Sequence, residues 1–128
     1  MQGNFSVMIE DFAERHFIKS FQKKYQGKWD ITRLAIVAEL ERVDNLLLTD
    51  RAETISDVEG VQIIKTKFRI AGTKESAKSS GNRCIVALNK EKQSVSVLLV
   101  YTKTDLSSKN ETAEWKAIIK EEYQIICS

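Results

Sequence analysis

The stretch Ser94 to Lys103 constrains the fold more than any other, because it is β-branched and aliphatic on both sides of an extended chain. A strand exposed on one face alternates apolar with polar residues, whereas one that is apolar on both is central to its sheet. Arg83 to Asn89 is a second β-rich run, and only Lys90 to Gln93 separate the two, which predicts an antiparallel hairpin. Upstream, Val61 to Ile70 alternates, with Lys65, Lys67 and Arg69 on one face and Ile64, Phe68 and Ile70 on the other. This predicts a strand with a basic face. Between them Ala71 to Gly81 is rich in Gly, Ser and Lys without periodicity and reads as a mobile connection.

The N-terminal half carries a helical period instead. Phe5 to Glu10 reads as a short strand, and Asp11 with Glu14 has the spacing of a capping box that opens a helix. Ala13, Phe17, Phe21 and Tyr25 form its apolar stripe, and Gly27 ends it. Asp30 is the expected cap of a second, longer helix whose buried side is Ile31, Leu34, Val37, Leu40, Val43 and Leu47. The two form a helical hairpin. Leu48 to Gly60 is polar and without period. At the other end, Ser108 and Glu111 offer a capping box for a final helix with Trp115, Ile118, Ile119 and Ile126 on its apolar side. The order is β-α-α-β-β-β-α. Segregated helices and strands predict an α+β fold, with the helical hairpin and the C-terminal helix on one face of a largely antiparallel four-stranded sheet.

A chain of 128 residues matches one domain, and its composition, 42% apolar and 30% charged, is that of a globular protein. No apolar run approaches the roughly 20 residues of a membrane span. Glu10 and Asp11 break any signal-peptide pattern, so the expected location is cytoplasmic, with no membrane partner. Cys84 and Cys127 have neither disulfide nor zinc-ligand spacing and are expected as free thiols.

Twenty Lys and Arg against eighteen Asp and Glu nearly cancel, but their distribution does not. From Val61 to Lys103 there are nine cations and two anions, Glu75 and Glu91. Such a segment suits a polyanion, because each neutralised phosphate releases counterions. Solubilising lysines on strands are the alternative. Other chemistries find little support: His16 stands alone in the first helix, the acids fall at helix caps and outward positions, and Gly72 and Gly81 lack the setting of a phosphate loop. Lys65, Lys67, Arg69, Arg83, Tyr101 and Lys103 remain as the candidate catalytic group. Residues two apart on a strand share a face, so these side chains would project together. Cleavage of a phosphodiester by its own 2′-hydroxyl needs positive charge on the phosphorane and groups that move protons, and Lys, Arg and Tyr supply both without a cofactor or metal. Crowded like charges disfavour protonation, which would let one lysine act as the base. Lys74, Lys78, Lys90 and Lys92 are candidate RNA-binding residues beyond that group.

Three stretches carry a family resemblance: IIKTKFRIAGTKESAKSSGNRCIVAL (63–88) with its Ser80-Gly81-Asn82-Arg83 segment, VSVLLVYTKTDLS (95–107) with Tyr101, Lys103 and Asp105, and FIKSFQKKY (17–25). Together they resemble the RelE-like toxins of type II toxin–antitoxin systems, within the RelE/ParE superfamily. The resemblance implies an endoribonuclease that cuts messenger RNA without metal, in several members on the ribosome, and a small cognate antitoxin protein as partner. It places Lys65 and Lys67 at the family's basic-strand lysines, Arg69 at the cation that follows, Arg83 at the arginine after Ser-Gly-x, and Lys103 at the lysine after the last strand. The functional tyrosine falls on Tyr101, or on Tyr123 where members place it further along. Two departures stand out: a long loop from Ala71 to Gly81, and Thr104 where an arginine often follows the lysine. Guanidinium geometry selects Arg69 and Arg83 as phosphate clamps, with their removal expected to leave folding intact. Lys65 or Lys67 is then the base or the phosphorane stabiliser, and Tyr101 a proton donor or a platform for a base. A gyrase-poisoning relative and an inert antitoxin-binding protein are the competing readings.

Overall fold

The structure, a computed structural model, describes residues 4–106 and 110–127. Strand β1 (Ser6–Ile9) leads into helix α1 (Asp11–Ala13), which runs through a π-helical segment, Glu14–Ile18, into α2 (Lys19–Lys24). After Gly27 come α3 (Lys28–Glu41) and the short α4 (Val43–Leu46). Strands β2 (Ala52–Val58), β3 (Val61–Lys67), β4 (Asn82–Asn89) and β5 (Ser94–Thr102) follow, then a 3-10 turn, Lys103–Asp105, and helix α5 (Glu111–Tyr123). The sheet order is β1-β5-β4-β3-β2, with β1 parallel to β5 and every other pair antiparallel.

The sheet has five strands rather than the four expected. The extra one, β2, occupies the polar stretch, because an edge strand needs few apolar residues: only Ala52 and Ser56 are buried along it. Glu59 and Gly60, both at positive φ, form the two-residue turn that joins it to β3. β5 lies inside the sheet, between β1 and β4, as its apolar faces predict.

The helical hairpin forms as expected, but its details shift. The Asp11–Glu14 capping box is absent. Glu10 takes the cap position without a side-chain bond, and Glu14 instead pairs with Arg33 of α3. The π segment rotates the helix, so Ile18 and Phe21 are buried while Phe17 is only half-buried. Gly27, at φ +79°, caps α3, and Asp30 lies inside its first turn. α3 buries Trp29, Thr32, Ile36 and Leu40; the expected Ile31 and Leu34 are exposed, Leu34 by 70%. Trp29 draws the helix round by stacking on Phe21, with ring centroids 5.1 Å apart.

Two apolar layers result, one on each side of the sheet. The hairpin helices cover Ile64, Phe68, Cys84, Val86, Leu88, Val95, Val97 and Val100. α5 covers the opposite face, where Trp115 and Ile119 join Ile63, Ile85, Leu98, Leu99 and Tyr101. The helices therefore lie on both faces, not on one. Ile126, expected on the apolar side of α5, lies beyond that helix and is exposed. Asn110 caps α5 by accepting a hydrogen bond from Ala113 N at 3.0 Å, and Ser108 lies outside the described residues.

Candidate functional site

Strand register assembles the site. Lys67 pairs with Arg83, and Arg83 with Tyr101; one step along, Lys65 pairs with Ile85, and Ile85 with Leu99. Directly paired residues share a face with Cβ atoms roughly 5 Å apart, so Lys65, Lys67, Arg83 and Tyr101 form one patch across three strands. Tyr101 owes its place in it to a bulge. Ile85 pairs with Leu99 but Val86 pairs with Val97, which leaves Leu98 as an extra residue in β5. In an unbulged strand of the same sequence Tyr101 would fall on the face of Val95 and Val97, under the hairpin helices.

The patch lies beneath the start of α5. Glu111 Oε2 accepts a hydrogen bond from the Tyr101 hydroxyl at 2.5 Å and meets Lys65 Nζ at 3.4 Å. Tyr101 is wholly buried and the Lys65 side chain is 14% exposed. Burial alone would raise the Glu111 carboxyl, but the bond from Tyr101 and the charges of Lys65 and Lys103 hold it below the usual carboxylate range. Burial, reinforced by Glu111, pushes the Tyr101 phenol far up, so it is a hydrogen-bond donor at neutral pH and not an anion. Lys103 is exposed just past the end of β5, its backbone N donating to Gly81 O at 2.9 Å.

Arg83 differs from the clamp expected of it. It is 3% exposed, and its guanidinium donates to Asn82 O at 2.9 Å and to Lys78 O at 3.3 Å, while Nε has no hydrogen-bond partner. A phosphate clamp needs an open guanidinium, and here it is enclosed. Its carbonyl bonds, with those of Ser80, organise the 71–81 loop. Ser80 Oγ has one proton to share between Phe68 O and Ala77 O and accepts from Asn82 N, and Gly81 takes φ +78°. The Ser-Gly-x-Arg segment is thus a loop closure. Thr32 ties the other end by accepting from Ala71 N at 2.8 Å.

The remaining candidates scatter. Arg69 is exposed beyond the end of β3 and lines a groove with Thr32, Ala35, Glu39 and Arg51 against α3, not the patch under α5. Lys74 and Lys78 are exposed on the 71–81 loop. Lys90 and Lys92 are exposed in the β4–β5 turn, seven or more strand residues from Arg83 and so on the order of 20 Å away. Tyr123 gives its hydroxyl to Leu98 O at 2.7 Å, where it anchors the far end of α5 on the bulge. His16 is exposed and stacks on Phe12, with ring centroids 4.7 Å apart. Both cysteines are free, and burial pushes the Cys84 thiol up to about 12. Glu111 was not among the candidates. Read only as a cap partner, it gave one available signal: an acid ten residues after Tyr101, at the start of a helix long enough to fold back.

Among the described residues, no three of His, Cys, Asp and Glu converge as metal ligands, and no helix is long and apolar enough to cross a membrane. No family model matches the chain, and no curated protein matches it. Among solved structures it is similar to a chain of the archaeal RelE–RelB complex from Pyrococcus horikoshii. The TM-score is 0.56 at 11% identity, over 80% of this chain and 99% of that one. The chain therefore has a RelE-like fold.

Proposed function

We propose that this chain is the toxin of a type II toxin–antitoxin pair and cuts messenger RNA by attack of the 2′-hydroxyl. The observation that carries this reading is the patch itself: Lys65, Lys67, Arg83 and Tyr101 on adjacent positions of three strands, with Lys103 at its rim. The RelE-like fold supports it. In the reaction a base removes the 2′-hydroxyl proton, the oxygen attacks phosphorus, and the bond to the 5′-oxygen breaks as that oxygen takes a proton. A 2′,3′-cyclic phosphate and a 5′-hydroxyl remain. Lys67 and Lys65 are the candidates for the base and for charge stabilisation of the phosphorane. Tyr101 and Lys103 are the candidates for donating a proton to the leaving oxygen. Arg83 acts from beneath, holding the loop and adding fixed positive charge.

A cognate antitoxin is the expected protein partner, by analogy with the complex that shares the fold. The test is induction of the chain alone beside Lys67→Ala, which unlike Arg83→Ala removes no buried group. Discrete new mRNA ends with the parent and none with the variant are expected. Arrest without new ends would favour a gyrase target, and no arrest an inert antitoxin-binding protein.

A further inference from the structure

We infer that α5 is a self-inhibitory cover, with the Glu111 carboxylate standing where an oxygen of a bound phosphate would stand, so that a polyanion must displace it to reach Lys65 and Tyr101. The inference rests on the proposed anion-binding role of the patch and deepens it. One oxygen, Glu111 Oε2, takes both donors, the Tyr101 hydroxyl at 2.5 Å and Lys65 Nζ at 3.4 Å. These two groups have the chemistry to meet a non-bridging phosphate oxygen, and here neither is open to solvent to any extent that a ligand could use. Beside them Arg83 is buried with Nε unpaired and, among the described residues, no carboxylate at ion-pair distance. The patch therefore carries more positive charge than Glu111 neutralises. Glu53, opposite Lys65 on the edge strand, is exposed and forms no ion pair with it.

The cover is held by more than its charge. Trp115 and Ile119 are fully buried against the strand face, and the Tyr123 hydroxyl bonds Leu98 O. The acidic contact sits at one end of the helix and the apolar contacts further along, so an incoming anion competes with Glu111 without first having to uproot Trp115. Glu111 as the reaction's own base is the competing chemistry. A carboxylate held below its usual range is poorly suited to taking a proton.

The experiment measures binding of tripolyphosphate to the full chain by calorimetry for the parent, Glu111→Gln, and Glu114→Gln, the last being a charge-matched change on the same helix. Cleavage of an RNA by the same three proteins is followed in parallel. Binding at least about tenfold tighter in Glu111→Gln, with Glu114→Gln within about threefold of the parent, is expected; tenfold is the effect of one modest charged hydrogen bond. Equal tightening in both variants, or no tightening in either, overturns the cover. Loss of RNA cleavage in Glu111→Gln also overturns it, because Glu111 would then belong to the reaction. Tightening without RNA cleavage by any of the three leaves the cover standing and removes the nuclease. Cleavage without tightening does the reverse.

Discussion

Tyr101 has its phenol buried against Glu111, and the two together keep it protonated far above neutral pH. Its contribution is therefore a hydrogen bond to a charged acceptor, a class worth about 1.5–3 kcal/mol. Tyr101→Phe keeps the ring in place and is expected to lower the urea midpoint by the equivalent of that loss, without changing the slope; an unchanged midpoint would mean that the bond adds nothing to folding. The residues of this patch were legible in part. Alternation alone put Lys65 and Lys67 on one side, and the hairpin brought Arg83 opposite Tyr101. Arg69 has the same parity but falls past the last residue of β3, where alternation no longer sets direction. Burial was the quantity the residue types hid: Arg83 looked like a phosphate clamp, and its bonds go to two backbone carbonyls instead.

Among the elements, β5 shows how a single residue redirects a site. Leu98 is the extra residue of its bulge, and Leu98 and Leu99 both face α5 while Val97 and Val100 face the hairpin. Deleting Leu98 leaves a plain alternation in which Leu99 and Tyr101 still face α5 and Val95, Val97 and Val100 still face the hairpin, but it removes one buried leucine and the carbonyl that receives the Tyr123 hydroxyl. We expect this deletion to keep a cooperative thermal melt by circular dichroism at a lowered midpoint, as the loss of a buried leucine worth about 2–5 kcal/mol requires, whereas a non-cooperative melt would show that the bulge itself is indispensable. A run that is apolar on both faces marks a central strand but conceals a bulge, because no polar residue betrays the change of phase. The same reasoning applies to the π segment in the first helix and to β2, whose edge position asks for little hydrophobicity. Gly27 and the β4–β5 hairpin were legible because a positive φ and a short turn leave local marks.

For the whole molecule, the sheet is a partition with the hairpin on one side and α5 on the other, over the basic patch. The placement of α5 was not legible, since an amphipathic helix reads alike whichever face it covers. Its docking is coupled to pH through Glu111. A carboxylate held below the ordinary value of about 4.3 stabilises the docked state above that value and loses its contribution as pH falls through its lowered folded value. Hydrogen exchange should therefore find the first turn of α5 equally protected at pH 6 and 8, and less protected below about pH 4. In Glu111→Gln that step should vanish; a step of the same size in the variant would assign it to another group. The central claim concerns what the patch beneath α5 does to RNA. It is tested most directly by incubating the purified chain with a defined mRNA and determining the chemistry of the new ends, beside Lys67→Ala. The account predicts 2′,3′-cyclic phosphate and 5′-hydroxyl ends that disappear in the variant; intact RNA with the parent, or equal cleavage by both proteins, would contradict it.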